Sequence, residues 1–243
     1  MKEHYRHRLP HFQQSGQAYF ITWSLKDAVP PKALIRYSNE LQILRTEIVL
    51  QQRNESGNSL QDNKHGKVKN EFLFDDFVIT QNSTSLTSEL RMRYYILRRK
   101  YLKAYEALLH TKSNHSVNLC NPHIIKILNA TLQYWARRKI ENYAFCIMPN
   151  HVHWVLKLHE KDEKGMVISL QDILYSVMRF SATLINKYIS RNGSLWQAES
   201  FETTIRNDTH LYNSIEYTLN NPVSAGLVED RESWPGNWHN DKQ

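Results

Sequence analysis

The chain has 243 residues, of which 41% are hydrophobic, and this is enough for one sizeable core. Its 31 Lys and Arg residues against 24 Asp and Glu residues give a net charge of +7, which suits a polyanionic partner. Two cysteines exclude a disulfide framework and a zinc site made of cysteines. No apolar run is as long as a membrane span, and the N-terminus lacks the apolar stretch of a signal peptide. We therefore expect a soluble, cytoplasmic protein with no membrane partner.

The N-terminal half predicts one strand and two helices. The stretch AYFITWSL, residues 18–25, is rich in aromatic and β-branched residues and precedes a polar turn, which indicates a strand. Helices are expected from about Tyr37 to Gln52 and, after a polar stretch, from about Glu89 to Leu109, where the apolar spacing becomes helical.

The polar stretch between these helices has the composition of an insertion. Residues 51–70 contain two large apolar residues, Leu60 and Val68, and residues 81–88 continue the same polar character. Such a segment buries too little apolar surface to offset its ordering entropy, so disorder is one alternative for it. We predict a single domain, residues 1–243, that carries a polar insertion at about residues 51–88.

A third helix and a hairpin follow. Residues 121–139 open with Asn121 as N-cap and Pro122 at the first helical position. Residues 142–148 and 151–158 read as strands joined by Pro149 and Asn150, which predicts an antiparallel hairpin.

The C-terminal third predicts two further helices. The first is expected at about residues 170–190, and an extended segment follows at residues 194–207. The second, residues 208–222, is expected to have Asp208 as its N-cap and to stop at Pro222. The order of elements predicts an α+β fold, in which a small antiparallel sheet is covered by helices.

Two histidines stand out in CIMPNHVHWVL, residues 146–156. Because side chains alternate along a strand, His151 and His153 share one face, and the large apolar residues on the other face should contact the main core. Two imidazoles on one face could hold a divalent metal, although two nitrogens do not select which one. The alternative is a pair of partly buried histidines that bond to their neighbours, and for a bare His-x-His motif this alternative is the stronger.

The last predicted helix carries a tyrosine on the face away from its apolar stripe. Leu211, Ile215 and Leu219 recur every four positions and should form the buried stripe. Tyr217 and Asn221 are one turn apart and are expected on the opposite face. On this pattern alone, an ordinary exposed tyrosine is the simpler interpretation.

Together the two motifs resemble an active site. The chain resembles the HUH single-strand nucleases, and specifically the REP-associated tyrosine transposases, over nearly its whole length except about residues 38–95. The resemblance is carried by three segments, in this order: RHRLPHFQQSGQAYFITWSL, YAFCIMPNHVHWVL and GSLWQAESFETTIRNDTHLYNSIEYTLNNPVSAGLV.

The resemblance implies a role for each matching residue. His151 and His153 correspond to the metal-binding pair, Asn221 to a third ligand and Tyr217 to the nucleophile. It also implies a ferredoxin-like sheet with the histidines on a central strand and the tyrosine on a C-terminal helix. The expected cofactor is a divalent metal, Mg²⁺ or Mn²⁺.

The implied activity is that of an enzyme, a tyrosine transposase. It would cleave single-stranded hairpin DNA, such as repetitive extragenic palindromes, and transfer the strand through a covalent 5′-phosphotyrosine, in the cytoplasm at the bacterial nucleoid. We expect Arg206 to contact phosphates and Trp196 to stack on bases, although a core role for Trp196 is equally compatible with the sequence. A homodimer is left open.

Other interpretations remain at this stage. Tyr175, Tyr188 and Tyr212 are rival nucleophiles, but Tyr217 matches the family pattern best. A rival function is a non-catalytic nucleic-acid-binding protein or repressor on a decayed transposase scaffold. A replication initiator or relaxase of the HUH type is disfavoured, since such proteins usually occur in longer chains with a further domain.

Overall fold

The structure is a computed structural model, which describes residues 16–30, 32–56, 85–111, 115–198 and 200–240. Most of the predicted insertion, residues 57–84, lies outside the described residues. The described chain forms two compact units. The helical unit comprises described residues between Val29 and Thr111, and the sheet unit comprises those before Val29 and after Thr111. The prediction of one domain stays a prediction.

The helical unit contains two long helices that pack against each other. They are α1, Ile35–Ser56, and α2, Ser85–Leu109. Their apolar contact buries large side chains from both helices: Leu41, Ile48, Tyr94 and Tyr105. Residues 51–56 and 85–88, which we predicted as part of the insertion, are instead helical. Neither stretch contains Gly or Pro, so each helix can continue beyond its last apolar contact.

The sheet unit is built on five antiparallel strands in the order β4-β1-β3-β2-β5. The strands are β1 Ala18–Ser24, β2 Ile140–Ile147, β3 His151–Leu158, β4 Phe201–Thr204 and β5 Asn237–His239. Helix α3, Pro122–Gln133, precedes β2, and helix α4, Leu170–Tyr188, lies between β3 and β4. The first four strands and these two helices give the β-α-β-β-α-β order of a ferredoxin-like fold. The predicted α+β class and antiparallel sheet are confirmed, and β3 is the central strand.

The local signals in the middle of the chain are largely confirmed. Asn121 caps α3, because its side-chain oxygen accepts a hydrogen bond from the His123 amide at 2.9 Å. Strands β2 and β3 pair as the predicted hairpin, and the Met148 amide donates to the His151 carbonyl at 2.9 Å. Helix α3 is shorter than predicted, since it ends at Gln133. Shortly afterwards Arg137 has a φ of 65°, which is incompatible with a continuing right-handed helix.

The last helix, α5, spans Asp208–Ser224, and both of its predicted ends are wrong by a small number of residues. Its N-cap is Asn207 and not Asp208, because the Asn207 side chain accepts a hydrogen bond from the His210 amide at 2.8 Å. The helix also continues past Pro222. Proline removes one amide donor, a loss that the end of a helix tolerates better than its middle.

The two faces of the sheet are covered by different helices. On one face, Trp154 packs edge-to-face against Trp23, and Trp23 packs likewise against Trp196, whose indole N–H donates to Ser181 of α4 at 3.1 Å. Helix α3 is tied to the same face through Asn142 of β2, which donates to the Leu132 carbonyl. On the opposite face, the apolar residues of α5 pack against Val155 and its neighbours. The sheet is therefore sandwiched between α3 and α4 on one side and α5 on the other.

Candidate active site

The histidine pair lies on the α5 side of the central strand. His151 is paired with Ser24 of β1, and His153 lies between Thr22 of β1 and Cys146 of β2. The shared face predicted from strand alternation is therefore present. It is not an open face, however, because both histidine side chains are fully buried.

Each imidazole is held by hydrogen bonds, and the two rings face each other. The Nδ1 atom of His151 lies 2.6 Å from Oδ1 of Asn150, and Nδ1 of His153 lies 2.8 Å from Oγ1 of Thr22. Both Nδ1 atoms are therefore engaged on the side away from the pair. The two Nε2 atoms point toward each other and are 3.0 Å apart.

This separation fits two ligands of one metal ion. Around an octahedral ion such as Mg²⁺, with bonds of about 2.0–2.1 Å, two neighbouring ligand atoms are about 3 Å apart. Metal-binding histidines also commonly engage their other nitrogen in a hydrogen bond that fixes the orientation of the ring, as Asn150 and Thr22 do here. The same 3.0 Å separation is also normal for an N–H···N hydrogen bond between the rings.

Tyr217 lies beside the pair. Its ring centroid is 5.5 Å from that of His153 and 5.6 Å from that of Phe20, both in edge-to-face contact. Phe20 in turn stacks on His153 at 5.6 Å. Tyr217 remains 42% exposed, so it is accessible to solvent while it contacts a fully buried histidine. The structure thus brings together three of the residues that the sequence singled out.

The buried side of α5 differs from the predicted apolar stripe. Leu219 is buried, whereas Leu211 and Ile215 are half-buried and pack against the cluster of Tyr143, Val155 and Ile205. The most buried positions of the helix also include small and polar residues, namely Ser214, Thr218, Asn221 and Pro222.

We predicted that Asn221 would share a face with the exposed Tyr217, but Asn221 is buried. It is only 1% exposed, one turn after the half-exposed tyrosine. The amide is thus inside the protein, on the helix that also carries Tyr217.

The two residues predicted to contact DNA are in different environments. Arg206 is exposed, between β4 and α5. Trp196 is 5% exposed, and its ring and indole N–H are engaged by Trp23 and Ser181. The structure gives Trp196 a core role, so we do not assign it a contact with bases.

The rival tyrosines either lie on the opposite face of the sheet from the histidine pair or are largely exposed. Tyr175 and Tyr188 belong to α4, which covers the opposite face of the sheet, and Tyr188 stacks on His123 at 4.1 Å between ring centroids. Tyr212 is on α5 but is 64% exposed. Among these four tyrosines, all of them within the described residues, Tyr217 is the one whose ring contacts that of His153.

The residues that orient the histidines were not singled out by the sequence. Asn150 precedes His151 directly, and its own amide nitrogen lies 2.9 Å from Nε2 of His115. Thr22 and Phe20 are in β1, more than a hundred positions earlier in the chain, and only the strand register brings them to His153. The available signal for Thr22 was a hydroxyl side chain within a mostly apolar strand.

Cys146 of β2 lies opposite His153 in the strand register. It is fully buried opposite His153, and burial raises the pKa of its thiol well above the ordinary value. Desolvation disfavours the thiolate, so in this environment the neutral thiol is the stable form.

Comparisons with known proteins agree with the resemblance read from the sequence. The chain is 32% identical over 110 residues to a protein of Haemophilus influenzae that carries the provisional description REP-associated tyrosine transposase. That match covers 42% of this chain and 60% of the relative, so the chain spans less than two thirds of the relative's length. No protein-family model matches the chain. The chain resembles REP-associated tyrosine transposases.

A solved structure of a REP-associated tyrosine transposase bound to a REP hairpin is also similar in part. The match covers 94% of this chain and 80% of the chain of that structure, with 12% sequence identity and a TM-score of 0.42. Likeness at this level carries no information about function. Among the described residues, no helix is both long and apolar enough to cross a membrane.

Proposed function

We propose that this protein cleaves and rejoins single-stranded DNA through a covalent bond to Tyr217, with a divalent metal at His151 and His153. The observation that carries the proposal is the contact between the partly exposed Tyr217 ring and His153, whose Nε2 faces that of His151 at 3.0 Å. A nucleophile beside two convergent nitrogen ligands is the arrangement that metal-assisted phosphoryl transfer needs.

His151 and His153 would hold the ion through their Nε2 atoms, and Asn221 is the proposed third ligand. Mg²⁺ or Mn²⁺ is the expected ion, and when bound it would neutralise part of the charge on the phosphodiester. Asn150 and Thr22 keep both Nδ1 atoms engaged, so that each ring is fixed in the orientation that points Nε2 inward.

The proposed reaction forms one bond and breaks one. The phenolic oxygen of Tyr217 attacks phosphorus, the bond from phosphorus to the 3′ oxygen breaks, and that oxygen leaves as a 3′-hydroxyl after gaining a proton. Because a free phenol has a pKa of about 10, a base or water must take the proton of Tyr217 as it attacks. The 5′ phosphate stays on Tyr217, so that a second 3′-hydroxyl can displace the tyrosine and rejoin the strand.

Burial sets a condition on this chemistry. Both imidazoles are fully buried, while Tyr217 is 42% exposed at their edge. A DNA phosphate can therefore approach the tyrosine directly, but it can reach the histidine pair only if a covering side chain moves. Catalytic groups often tighten into their working geometry only in the substrate complex.

The proposed substrate is single-stranded DNA with hairpins, such as repetitive extragenic palindromes. This part of the proposal is supported by the resemblance to a REP-associated tyrosine transposase and by the net charge of +7. Arg206, exposed before α5, is a proposed phosphate contact. Homodimer formation and action in the cytoplasm at the nucleoid belong to the same proposal.

The second candidate function is a non-catalytic DNA-binding protein on the same scaffold. Full burial of the histidines, and the hydrogen-bond length between their Nε2 atoms, favour it. In that case the two rings bond to each other, one as donor and one as acceptor, and no ion is needed. The two candidates differ in whether His153 is required for cleavage.

Incubation with end-labelled single-stranded hairpin DNA and Mg²⁺ or Mn²⁺ tests the proposal. We expect cleavage by the wild type, loss of cleavage in His153→Ala with DNA binding retained, and normal cleavage in His239→Ala, which removes an exposed histidine on β5. Fully paired duplex should be a poor substrate. Equal loss of folding and binding in His153→Ala, with no metal-dependent cleavage by the wild type, would favour the non-catalytic candidate.

A further inference from the structure

A groove lies between α3 and α4, on the sheet face opposite the histidine pair. It has a volume of about 550 Å³, which is within the usual range for ligand pockets. Its walls come from both helices and from the turn that follows α3, and they include Lys126, Tyr134, Trp135 and Phe180.

The groove presents flat aromatic faces to solvent. Phe180 is 60% exposed and Tyr134 is 54% exposed, although both are large enough to stabilise a core if they were buried. Trp135 is half-buried beside them, and its indole N–H donates to Ser176 at 3.3 Å. Exposed aromatic residues gathered around one concave surface are typical of a binding site.

The charged residues of the two helices beside the groove are mainly positive: Lys126 lines the groove, and Lys139, next to it, is also 3.8 Å from the Asp162 carboxylate. Residues 122–139 contain four Lys and Arg residues and no Asp or Glu, and α4 contributes Arg179 and Lys187 against a single acid, Asp172. The cations lie close to the rings: the Arg138 guanidinium is 4.3 Å from the Tyr134 ring centroid, and the Lys139 ammonium is 4.7 Å from that of Trp135. The groove therefore combines π faces with positive charge.

We propose that this groove binds unpaired bases of single-stranded DNA. Tyr134 and Phe180 stack on the bases, and Lys126 and Arg138 contact the adjoining phosphates, which is the combination that non-sequence-specific single-strand binding uses. An acidic polypeptide would exploit the same cations but would gain little from the aromatic faces. The aromatic component therefore favours nucleic acid as the occupant.

The position of the groove assigns it to anchoring the DNA. The sheet separates the groove from Tyr217, because α5 packs on the opposite face, so the groove cannot hold the scissile phosphate. This inference rests on the proposed function, because it assigns part of the same DNA substrate to a second surface. Its loss should weaken DNA binding and leave the chemical step unchanged.

The test is metal-free binding of a labelled single-stranded oligonucleotide to matched variants of the full chain. We expect Phe180→Ala to raise the Kd about 5- to 150-fold, since one stacked base contributes about 1–3 kcal/mol. Tyr175→Ala is the control, because Tyr175 is on the same helix and equally exposed, at 62%, but does not line the groove. Lys126→Ala should reduce the salt dependence of binding by about one phosphate contact.

Two further measurements make the outcome decisive. In the wild type, an oligonucleotide with photoreactive bases should crosslink to peptides that contain Tyr134 or Phe180. The KM of Phe180→Ala for DNA in the cleavage reaction should rise in proportion to its loss of binding. A Kd in Phe180→Ala equal to that of Tyr175→Ala, or poly-glutamate that competes as well as DNA does, would overturn the proposal. Binding is measured without metal and without cleavage. The groove can therefore be confirmed or excluded even if the proposed reaction at Tyr217 is wrong.

Discussion

At the residue scale, the candidate site is defined by what holds two imidazoles with their Nε2 atoms 3.0 Å apart. Lone pairs on both nitrogens would repel each other, so either a proton or a cation must lie between them. The hydrogen bonds to Asn150 and Thr22 fix the two rings from behind in either case. The chemical question at this site is therefore whether a hydrogen-bond proton or a metal cation lies between the two Nε2 atoms.

Thr22 offers a direct test of metal binding. Thr22→Val keeps the β-branched shape in strand β1 but removes the hydroxyl that meets Nδ1 of His153 at 2.8 Å. Loss of such an orienting partner typically lowers metal affinity about 10- to 100-fold, and we expect a loss of this size by calorimetric titration with Mn²⁺. Thr22→Ser, which keeps the hydroxyl, should bind nearly as the wild type does. Equal affinities for the valine variant and the wild type would show that His153 is not a ligand.

The sequence predicted the histidines but not their partners, for a physical reason. Alternation along one strand is a local property, so it placed His151 and His153 on one face correctly. The pairing of Thr22 with His153 depends on the register between two strands that are distant in the chain. The burial of Trp196 depends likewise on Trp23 and Ser181, which come from other elements.

At the element scale, a buried amide joins α3 to the sheet. Asn142 of β2 donates to the Leu132 carbonyl at 3.1 Å and to the Gln133 side chain at 3.1 Å, and it accepts from the Trp154 indole at 2.8 Å. All three links are satisfied by a side chain that is 4% exposed. This helix forms one wall of the proposed DNA groove.

Asn142→Ala should therefore destabilise the protein. It leaves the Trp154 N–H and the Leu132 carbonyl without this partner inside the core, and each such loss costs about 1–3 kcal/mol. We expect the free energy of unfolding, measured by chemical denaturation, to fall by at least that amount. Gln133→Ala removes only the half-buried partner and should cost less than 1 kcal/mol. A near-neutral Asn142→Ala would mean that water or rearrangement replaces these bonds.

Helix α5 shows where hydrophobic periodicity misleads. The pattern of Leu211, Ile215 and Leu219 predicted the buried stripe, but the helix buries small and polar residues as well, including Ser214 and Thr218. Their hydroxyls donate to carbonyls one turn earlier, at 2.8 Å each, so they can be buried at little cost. A count of apolar residues cannot detect such a face, and this is why Asn221 was expected on the wrong side.

At the scale of the whole molecule, the chain order of the sheet unit was readable from sequence. Strands β1, β2 and β3, the hairpin and helices α3 to α5 follow from local patterns, which predicted an antiparallel sheet covered by helices. The ferredoxin-like order was implied by the family resemblance. Strand β5 was not predicted, because three residues contain no usable period and its pairing with β2 is long-range. The extent of α1 and α2 was underestimated because the ends of both helices are polar.

The division into two units can be tested by removing one. All the proposed site residues, the five strands and helices α3 to α5 belong to the sheet unit. We expect that replacing residues 29–111 by a flexible Gly-Ser linker leaves a folded protein with a cooperative thermal transition. The measurement is far-UV circular dichroism, which should show the helix and strand content expected for the sheet unit. Loss of a cooperative transition would instead support the prediction of a single domain.

The central claim is that Tyr217 becomes bonded to DNA, and one measurement tests it most directly. Wild type and Tyr217→Phe are incubated with single-stranded hairpin DNA and Mn²⁺, denatured, digested and mapped by mass spectrometry. The substitution removes one oxygen and keeps the ring that packs on Phe20 and His153, so folding and DNA binding should be unchanged. The wild type should give a 5′-phosphotyrosine adduct on the peptide SIEYTLNNPVSAGLVED, and Tyr217→Phe should give neither adduct nor nicked DNA. Cleavage by Tyr217→Phe with an adduct at Tyr175, Tyr188 or Tyr212, or cleavage with no tyrosine adduct at all, would contradict the account.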